Sequence, residues 1–249
     1  DTKQYQEQLR VAFEAAEQAD VLVTLGIKPT EPATGFGYIQ QAGPWRKIGS
    51  HEVFKVERFV EKPNFTTAQR YLEANETSGV TEYFWNAGMF VWRVPVVEEA
   101  FKRCAPDLHA GLAKIEAAAP RQGWEKALAT GYPELKKISV DYALMEKSTN
   151  VVVVPTAFDW DDVGAWPAVA KHFPSDTAGN VLRGLAMVEG GANNIVVSSD
   201  GHLTAVVGAN DLVVVNTPDA TLVCTKEKAQ EIKALLQRLG ADPKTQRHL

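Results

Sequence analysis

Apolar residues recur at three- and four-residue spacing at the start of the chain: Tyr5, Leu9, Ala12, Phe13 and Ala16. That period predicts an amphipathic helix down to about Asp20. Val21-Leu22-Val23-Thr24-Leu25-Gly26-Ile27 follows as a short continuous apolar run, which predicts a strand buried on both faces. A helix feeding a buried strand is the second half of a βαβ crossover, so the chain is expected to begin in mid-domain with an open sheet edge.

Residues 53–60 alternate polar and apolar and predict a strand that ends at Glu61-Lys62-Pro63. Residues 64–75 predict a short helix capped by Asn64 or Thr66, with Tyr71 and Leu72 inward. Residues 83–92 predict an aromatic strand, and helices are expected over 95–104, 107–119 and 124–129. Ser139 is placed to cap a helix of two to three turns through Lys147, and residues 151–155 read as a buried strand. Beyond Trp166 the pattern changes to short β runs at 181–188, 194–198, 202–207, 211–215 and 221–224. Ser199-Asp200-Gly201 reads as a hairpin turn between two of them. This unit is expected to be a small curled sheet or the start of a β-solenoid. Residues 226–239 predict an amphipathic helix, and the polar tail from Ala241 is expected to fray. A boundary is expected near 175/176, giving units 1–175 and 176–249.

At 249 residues, 45% of them hydrophobic and 23% charged, the chain can bury a full core. No apolar run approaches the ~18 residues of a bilayer span. The start shows no basic segment leading into an apolar one, so a cytoplasmic protein is expected. A net charge of −5 supplies no basic field for nucleic acid, and the expected partners are small molecules. His51, His109, His172, His202 and His248 form no pair at metal-ligand spacing, and Cys104 and Cys224 read as inert thiols.

The candidate chemistry lies in the loops. Phe158-Asp159-Trp160-Asp161-Asp162-Val163-Gly164 joins an apolar strand to a predicted helix, a place where a carboxylate can hold a divalent cation beside a phosphate. The same Asp161 or Asp162 can instead simply cap that helix. Gly35 and Gly37 flank one aromatic, allowing either close backbone approach to a ligand or a plain turn. Glu61 and Lys62 either line a pocket or sit solvated at a strand end. Asn86 in so aromatic a strand must find partners, which are sugar hydroxyls on one reading and the turn before Gly88 on the other. Neither G-x-G-x-x-G nor a P-loop pattern is present, so a nucleotide's phosphate cradle would lie before Asp1.

Five stretches in order carry a family resemblance: Gly35-Phe36-Gly37-Tyr38-Ile39, Phe59-Val60-Glu61-Lys62-Pro63, Trp85-Asn86-Ala87-Gly88-Met89-Phe90, Ser139-Val140-Asp141-Tyr142-Ala143-Leu144-Met145-Glu146-Lys147, and Trp160-Asp161-Asp162-Val163-Gly164-Ala165-Trp166. Together they resemble the bacterial mannose-1-phosphate guanylyltransferases, or GDP-mannose pyrophosphorylases. The resemblance implies an α/β fold of the nucleotide-diphospho-sugar transferase type, a Rossmann-like mixed sheet lacking its N-terminal strands, with a small C-terminal β-rich unit. Residues 1–175 would then be the sugar-phosphate side of the nucleotidyltransferase domain.

The implied reaction joins GTP and mannose 1-phosphate into GDP-mannose and pyrophosphate, with Mg²⁺ as cofactor. It further implies that Asp162 binds the metal and Glu61 accepts from sugar hydroxyls. Lys62 would hold a phosphate, with Asp162 and Lys62 the catalytic pair. Gly37, Asn86 and Gly88 would complete the sugar pocket, with Asp141 and Lys147 bordering it. Phe36 stands where the family commonly has Tyr, Ala87 and Ala165 where it has Ser, and Asp161 where Ser is usual, which leaves open whether Asp161 or Asp162 meets the metal. The family's triphosphate loop would precede Asp1, so the isolated chain is expected to be inactive. Two alternatives remain: a transferase for another sugar 1-phosphate, and a non-catalytic sugar-nucleotide-binding subunit. The resemblance is compatible with a homodimer.

Overall fold

The computed structural model describes residues 1–248. Two compact units divide between Trp160 and Asp161, earlier than the 175/176 boundary read from the pattern.

In the first unit, α1 (Thr2–Gln18) is capped by Asp1, whose Oδ1 accepts from Lys3 N and Gln4 N. Its buried face is Gln8, Val11, Ala12, Ala15 and Ala16. That stripe is turned from the expected one, leaving Phe13 56% exposed. Small alanines let the helix lie close on the sheet, and Gln8 is tolerated because its Oε1 accepts from Ala157 N at 3.2 Å.

β1 (Leu22–Ile27) is buried at every position. It is followed by β2 (Tyr38–Ile48) and β3 (His51–Val60), a long antiparallel hairpin. Gly43 and Pro44 hide β2 from sequence reading, since both are strand breakers. Here they sit among register shifts between Gln40 and Arg46, the bulges that bend a strand. α2 (Phe65–Ser78) starts on Asn64, whose Oδ1 accepts from Thr67 N, and ends at Gly79 with φ 68°. β4 (Tyr83–Val91) pairs with β1 and β2. Three helices follow as expected, α3 (Val94–Cys104), α4 (Pro106–Gln122) and α5 (Trp124–Gly131), before β5 (Val151–Thr156).

β5 runs parallel to β1, and its Val152 and Val153 also pair antiparallel with Lys55 and Phe54 of β3. The bent hairpin therefore closes the mixed sheet on itself in the order β1-β4-β2-β3-β5. The open edge expected from a helix-first start is absent, because β1 is paired on both sides. Alternation along β5 sends Val152 and Val154 to the core under α1, and Val151 and Val153 to a second core with Val96, Ala100, Leu144 and Met145.

One element departs from expectation in kind. The predicted helix starting on Ser139 is a single π turn over Asp141–Met145, with Glu146 N donating to Asp141 O at 3.0 Å. No side chain caps it.

The second unit opens with α6 (Trp166–Ala170), which has Pro167 in its first turn. Six short strands follow: β6 (Val181–Arg183), β7 (Ala186–Glu189), β8 (Ile195–Val197), β9 (Thr204–Val207), β10 (Leu212–Asn216) and β11 (Thr221–Thr225). β6, β8 and β10 stack in parallel, as do β7 and β9, so the solenoid alternative describes this unit and the curled sheet does not. The run 181–188 breaks at Gly184, which has φ 74° and where a Cβ would sit 2.2 Å from Ser198 O. Ser199-Asp200-Gly201 is likewise a solenoid corner and not a hairpin, since β8 and β9 lie in different sheets. Buried Asn180 and Asn194 form an internal ladder: Asn180 Oδ1 accepts from Asn194 N, and Asn194 Oδ1 accepts from Leu212 N.

The closing helix is shorter than read. Residues Lys226–Glu231 form a 3-10 segment before α7 (Ile232–Ala241). Among the described residues the tail ends in a 3-10 turn over Gln246–His248, where His248 Nδ1 lies 3.1 Å from Asp219 Oδ2. No helix among the described residues is long and apolar enough to cross a membrane.

Candidate active site

The end of β3, the bulged start of β4, the loop before β2 and the π turn meet in the first unit. The register of β1 against β4 slips between Thr24 and Gly26, and the slip takes in Asn86 through Phe90. Such a bulge re-aims side chains, and here it brings Asn86 inward, 8% exposed.

Asn86 makes the local turn and reaches two further side chains. Its Oδ1 accepts from Gly88 N at 3.1 Å, the local turn, and from Thr24 Oγ1 at 3.1 Å. Gly88 has φ 69°, which favours glycine there. The Asn86 Nδ2 amide donates one hydrogen to Asp141 Oδ1 at 3.1 Å, and an amide nitrogen carries two. Asn86 N donates to Gly37 O at 2.8 Å, tying the loop before β2 to the same place.

Glu61 follows β3 directly. Its side chain is 7% exposed, and Oε1 lies 2.6 Å from Lys62 Nζ. Its Oε2 is buried with no partner among the described residues. An unsatisfied buried acceptor costs about 1–3 kcal/mol, more when charged, so this oxygen marks a place for a hydroxyl or another donor. Lys62 holds φ 49°, a left-handed conformation unusual for a non-glycine residue and concentrated at functional sites. The adjacent Glu61 carboxylate raises the Lys62 ammonium above the usual lysine range, overcoming a burial effect of opposite sign, and Tyr142 and Asp141 add to the rise. The lysine therefore stays cationic at neutral pH.

Gly37 lies tight against the Glu61 carboxylate. A Cβ there would stand 2.5 Å from Glu61 Oε2 and 3.2 Å from Asn86 Cβ. Gly37→Ala is expected to push the Glu61 carboxylate aside and, if the cluster takes the sugar phosphate that the motif resemblance implies, to weaken that binding about tenfold, roughly the loss of one charge-assisted hydrogen bond. Calorimetric titration checks this, and an affinity within twofold of the parent would count against the cluster as a binding site.

Phe36, Trp85 and Trp160 form an aromatic wall, with Phe36 edge-on to each tryptophan at 5.1 Å between ring centroids. The Phe36 ring makes these contacts without the hydroxyl that Tyr would add.

Gly37, Glu61, Lys62, Asn86, Gly88 and Asp141 are thus brought together. Lys147 is not. Its Nζ donates to Cys104 O at 3.2 Å, at the C-terminus of α3. Two contributors escaped sequence reading: Thr24, whose signal was a lone polar residue in an apolar strand, and Glu146, whose Oε1 accepts from Glu61 N at 2.9 Å.

The adjacent aspartates at the start of the second unit differ. Asp161 Oδ1 accepts from Val163 N at 2.9 Å and its Oδ2 lies 3.2 Å from His172 Nε2. The Val163 amide and then His172 hold its carboxyl below the usual range, against the effect of burial. Asp162 is exposed, and no hydrogen bond or ion pair engages its carboxylate among the described residues. Neither aspartate caps α6, whose N-cap is Ala165 with no side-chain bond. Among the described residues no three His, Cys, Asp or Glu side chains cluster as a metal cage.

A family model described as nucleotidyl transferase matches residues 2–179, and one described as a MannoseP isomerase/GMP-like beta-helix domain matches 187–239. Mannose-1-phosphate guanylyltransferases of Klebsiella pneumoniae and Escherichia coli are each 37% identical over 243 residues, covering 97% of this chain and 50% of the relative. The xanthan biosynthesis protein XanB of Xanthomonas campestris is 36% identical over 240 residues, covering 96% and 48%. The chain thus spans about half the length of the curated relatives it matches. A crystal structure described as a mannose-1-phosphate geranyltransferase, from Thermus thermophilus, superposes with a TM-score of 0.74 at 34% identity, covering 96% of this chain and 66% of that one.

Proposed function

Since the chain belongs to the nucleotidyl transferase family, we propose that it serves a mannose-1-phosphate guanylyltransferase, in which GTP and mannose 1-phosphate give GDP-mannose and pyrophosphate. The observation that carries this reading is the buried, unpartnered Glu61 Oε2 beside the Lys62 ammonium. A sugar phosphate needs that pair of groups, an acceptor for hydroxyls next to a cation for phosphate.

Each residue then has a defined task. Glu61 Oε2 accepts from a sugar hydroxyl, and the second Asn86 amide hydrogen donates to another sugar oxygen. Lys62 neutralises the sugar's phosphate as a compact point charge. Gly37 and Gly88 leave room for the ring to approach the backbone. In-line attack by the sugar-phosphate oxygen on the α-phosphorus of GTP needs positioning and charge neutralisation and no covalent enzyme intermediate.

Asp162 is the residue assigned to a divalent cation, with Mg²⁺ the ion. Its carboxylate is exposed and uncommitted, whereas both Asp161 oxygens are engaged. Mg²⁺ takes one or two protein carboxylates and otherwise substrate oxygens and water, so a single carboxylate can serve it. When bound, such an ion neutralises phosphate charge and orients the oxygens.

Calorimetric titration with mannose 1-phosphate, repeated with glucose 1-phosphate and with inorganic phosphate, tests the reading. Mannose 1-phosphate is expected to bind at least about tenfold tighter than phosphate, because the Glu61 contact adds a charge-assisted hydrogen bond. Equal affinities for all three would refute it, and a preference for glucose 1-phosphate would move the assignment to another sugar.

A further inference from the structure

We propose that Glu146 is a positioning residue that holds Glu61 and Lys62 in place for the sugar phosphate, an inference that rests on the function proposed above. Beyond Val60 the chain leaves the strand pairing of β3, so the Glu61 amide has no ladder partner. It donates to the Glu146 carboxylate, Oε1 at 2.9 Å. The next residue, Lys62, adopts φ 49°, and Pro63 after it has no amide to give. The Glu146 contact is therefore the last backbone tether on the Glu61–Lys62 pair before Asn64 starts α2.

The π turn explains why Glu146 is there. A π turn bonds the amide of residue i+5 to the carbonyl of residue i, so residues five apart come to the same side of the turn. Asp141 and Glu146 are such a pair, linked by Glu146 N to Asp141 O at 3.0 Å. Asp141 accepts from the Asn86 side chain, and Glu146 accepts from the Glu61 backbone. One turn thereby straps both proposed sugar-binding residues at once. An α-helix over the same sequence would rotate residue 146 away from residue 141, since 3.6 residues make its turn.

Glu146 is exposed and belongs to no core cluster, so its removal is expected to leave the fold standing. The test compares Glu146→Ala with Glu146→Gln by NMR hydrogen exchange at the Glu61 amide, thermal melting, and mannose 1-phosphate titration. Glu146→Ala is expected to speed exchange at Glu61 about tenfold and weaken mannose 1-phosphate about five- to tenfold, a single hydrogen bond to a charged group. The melting temperature is expected to stay within about 2 °C. Glu146→Gln keeps an acceptor oxygen and is expected to restore both exchange and affinity to within about twofold.

Unchanged exchange in Glu146→Ala overturns the proposal whatever the ligand does. Faster exchange with unchanged affinity also overturns it, since the contact would then be architectural. A parent protein that binds no mannose 1-phosphate refutes the functional reading, and the positioning role falls with it even if the exchange result shows the contact to be real.

Discussion

In an enzyme that also carries the triphosphate loop, Asp162→Asn is expected to lower GDP-mannose formation by at least about 100-fold, the loss that follows when an ion stabilising several kcal/mol of transition-state charge is no longer held. Asparagine keeps the size and one acceptor oxygen but removes the negative charge, which is what a hard cation requires of this position. The Mg²⁺ concentration for half-maximal rate should rise with the loss. Affinity for mannose 1-phosphate without metal should stay within about twofold, because Asp162 has no task in the sugar cluster in the proposed scheme. Turnover is one readout, and titration of Mn²⁺ into the GDP-mannose complex is a second that needs no turnover. The parallel variant Asp161→Asn supplies the contrast. It should cost less, since the Val163 amide and His172 already occupy that carboxylate. If the two variants behave alike, the assignment of the metal to Asp162 is wrong.

Glu61→Gln should separate two affinities. Mannose 1-phosphate is expected to bind about 10- to 100-fold more weakly, corresponding to about 1.5–3 kcal/mol for hydrogen bonds to a charged group. Inorganic phosphate is expected to bind as well or better, because Lys62 is freed from the carboxylate 2.6 Å away. The same change removes the leading cause that holds the Lys62 ammonium above its usual range. Its pKa then falls, yet it remains protonated at pH 7 and continues to attract phosphate. Loss of both affinities together would mean that Glu61 supports the fold locally and does not read the sugar. Competition titrations with the two ligands separate these outcomes.

Several of these groups were visible before any coordinates. The run Val21 to Ile27 announced a strand buried on both faces because every residue but Thr24 and Gly26 is apolar, and β1 is that strand. Asn86 declared itself as a polar residue in an aromatic strand, and the order of the five motifs named Glu61, Lys62 and Asp162 as candidates. Other features were not legible. β2 carries Gly43 and Pro44 in mid-strand, so local propensity argues against a strand that bulges and pairing make possible. The π turn looked like an ordinary capped helix, because an i→i+5 bond leaves no mark in apolar periodicity. Lys147 was expected to border the pocket with Asp141, yet its side chain goes to the Cys104 carbonyl.

By itself the sequence determined most of the helices, the buried strands β1 and β5, the change to short β runs after Trp166 and the identity of the candidate groups, since period, turn residues and motif order are local properties of a chain. Only the tertiary structure decided which edge β3 would reach, that β8 and β9 would enter different sheets, which oxygen of Glu61 would be left without a partner, and that Glu146 would meet the Glu61 amide. Those outcomes depend on contacts between residues distant along the chain, such as 61 with 146, whose geometry is fixed by packing and by the need to pair buried backbone groups.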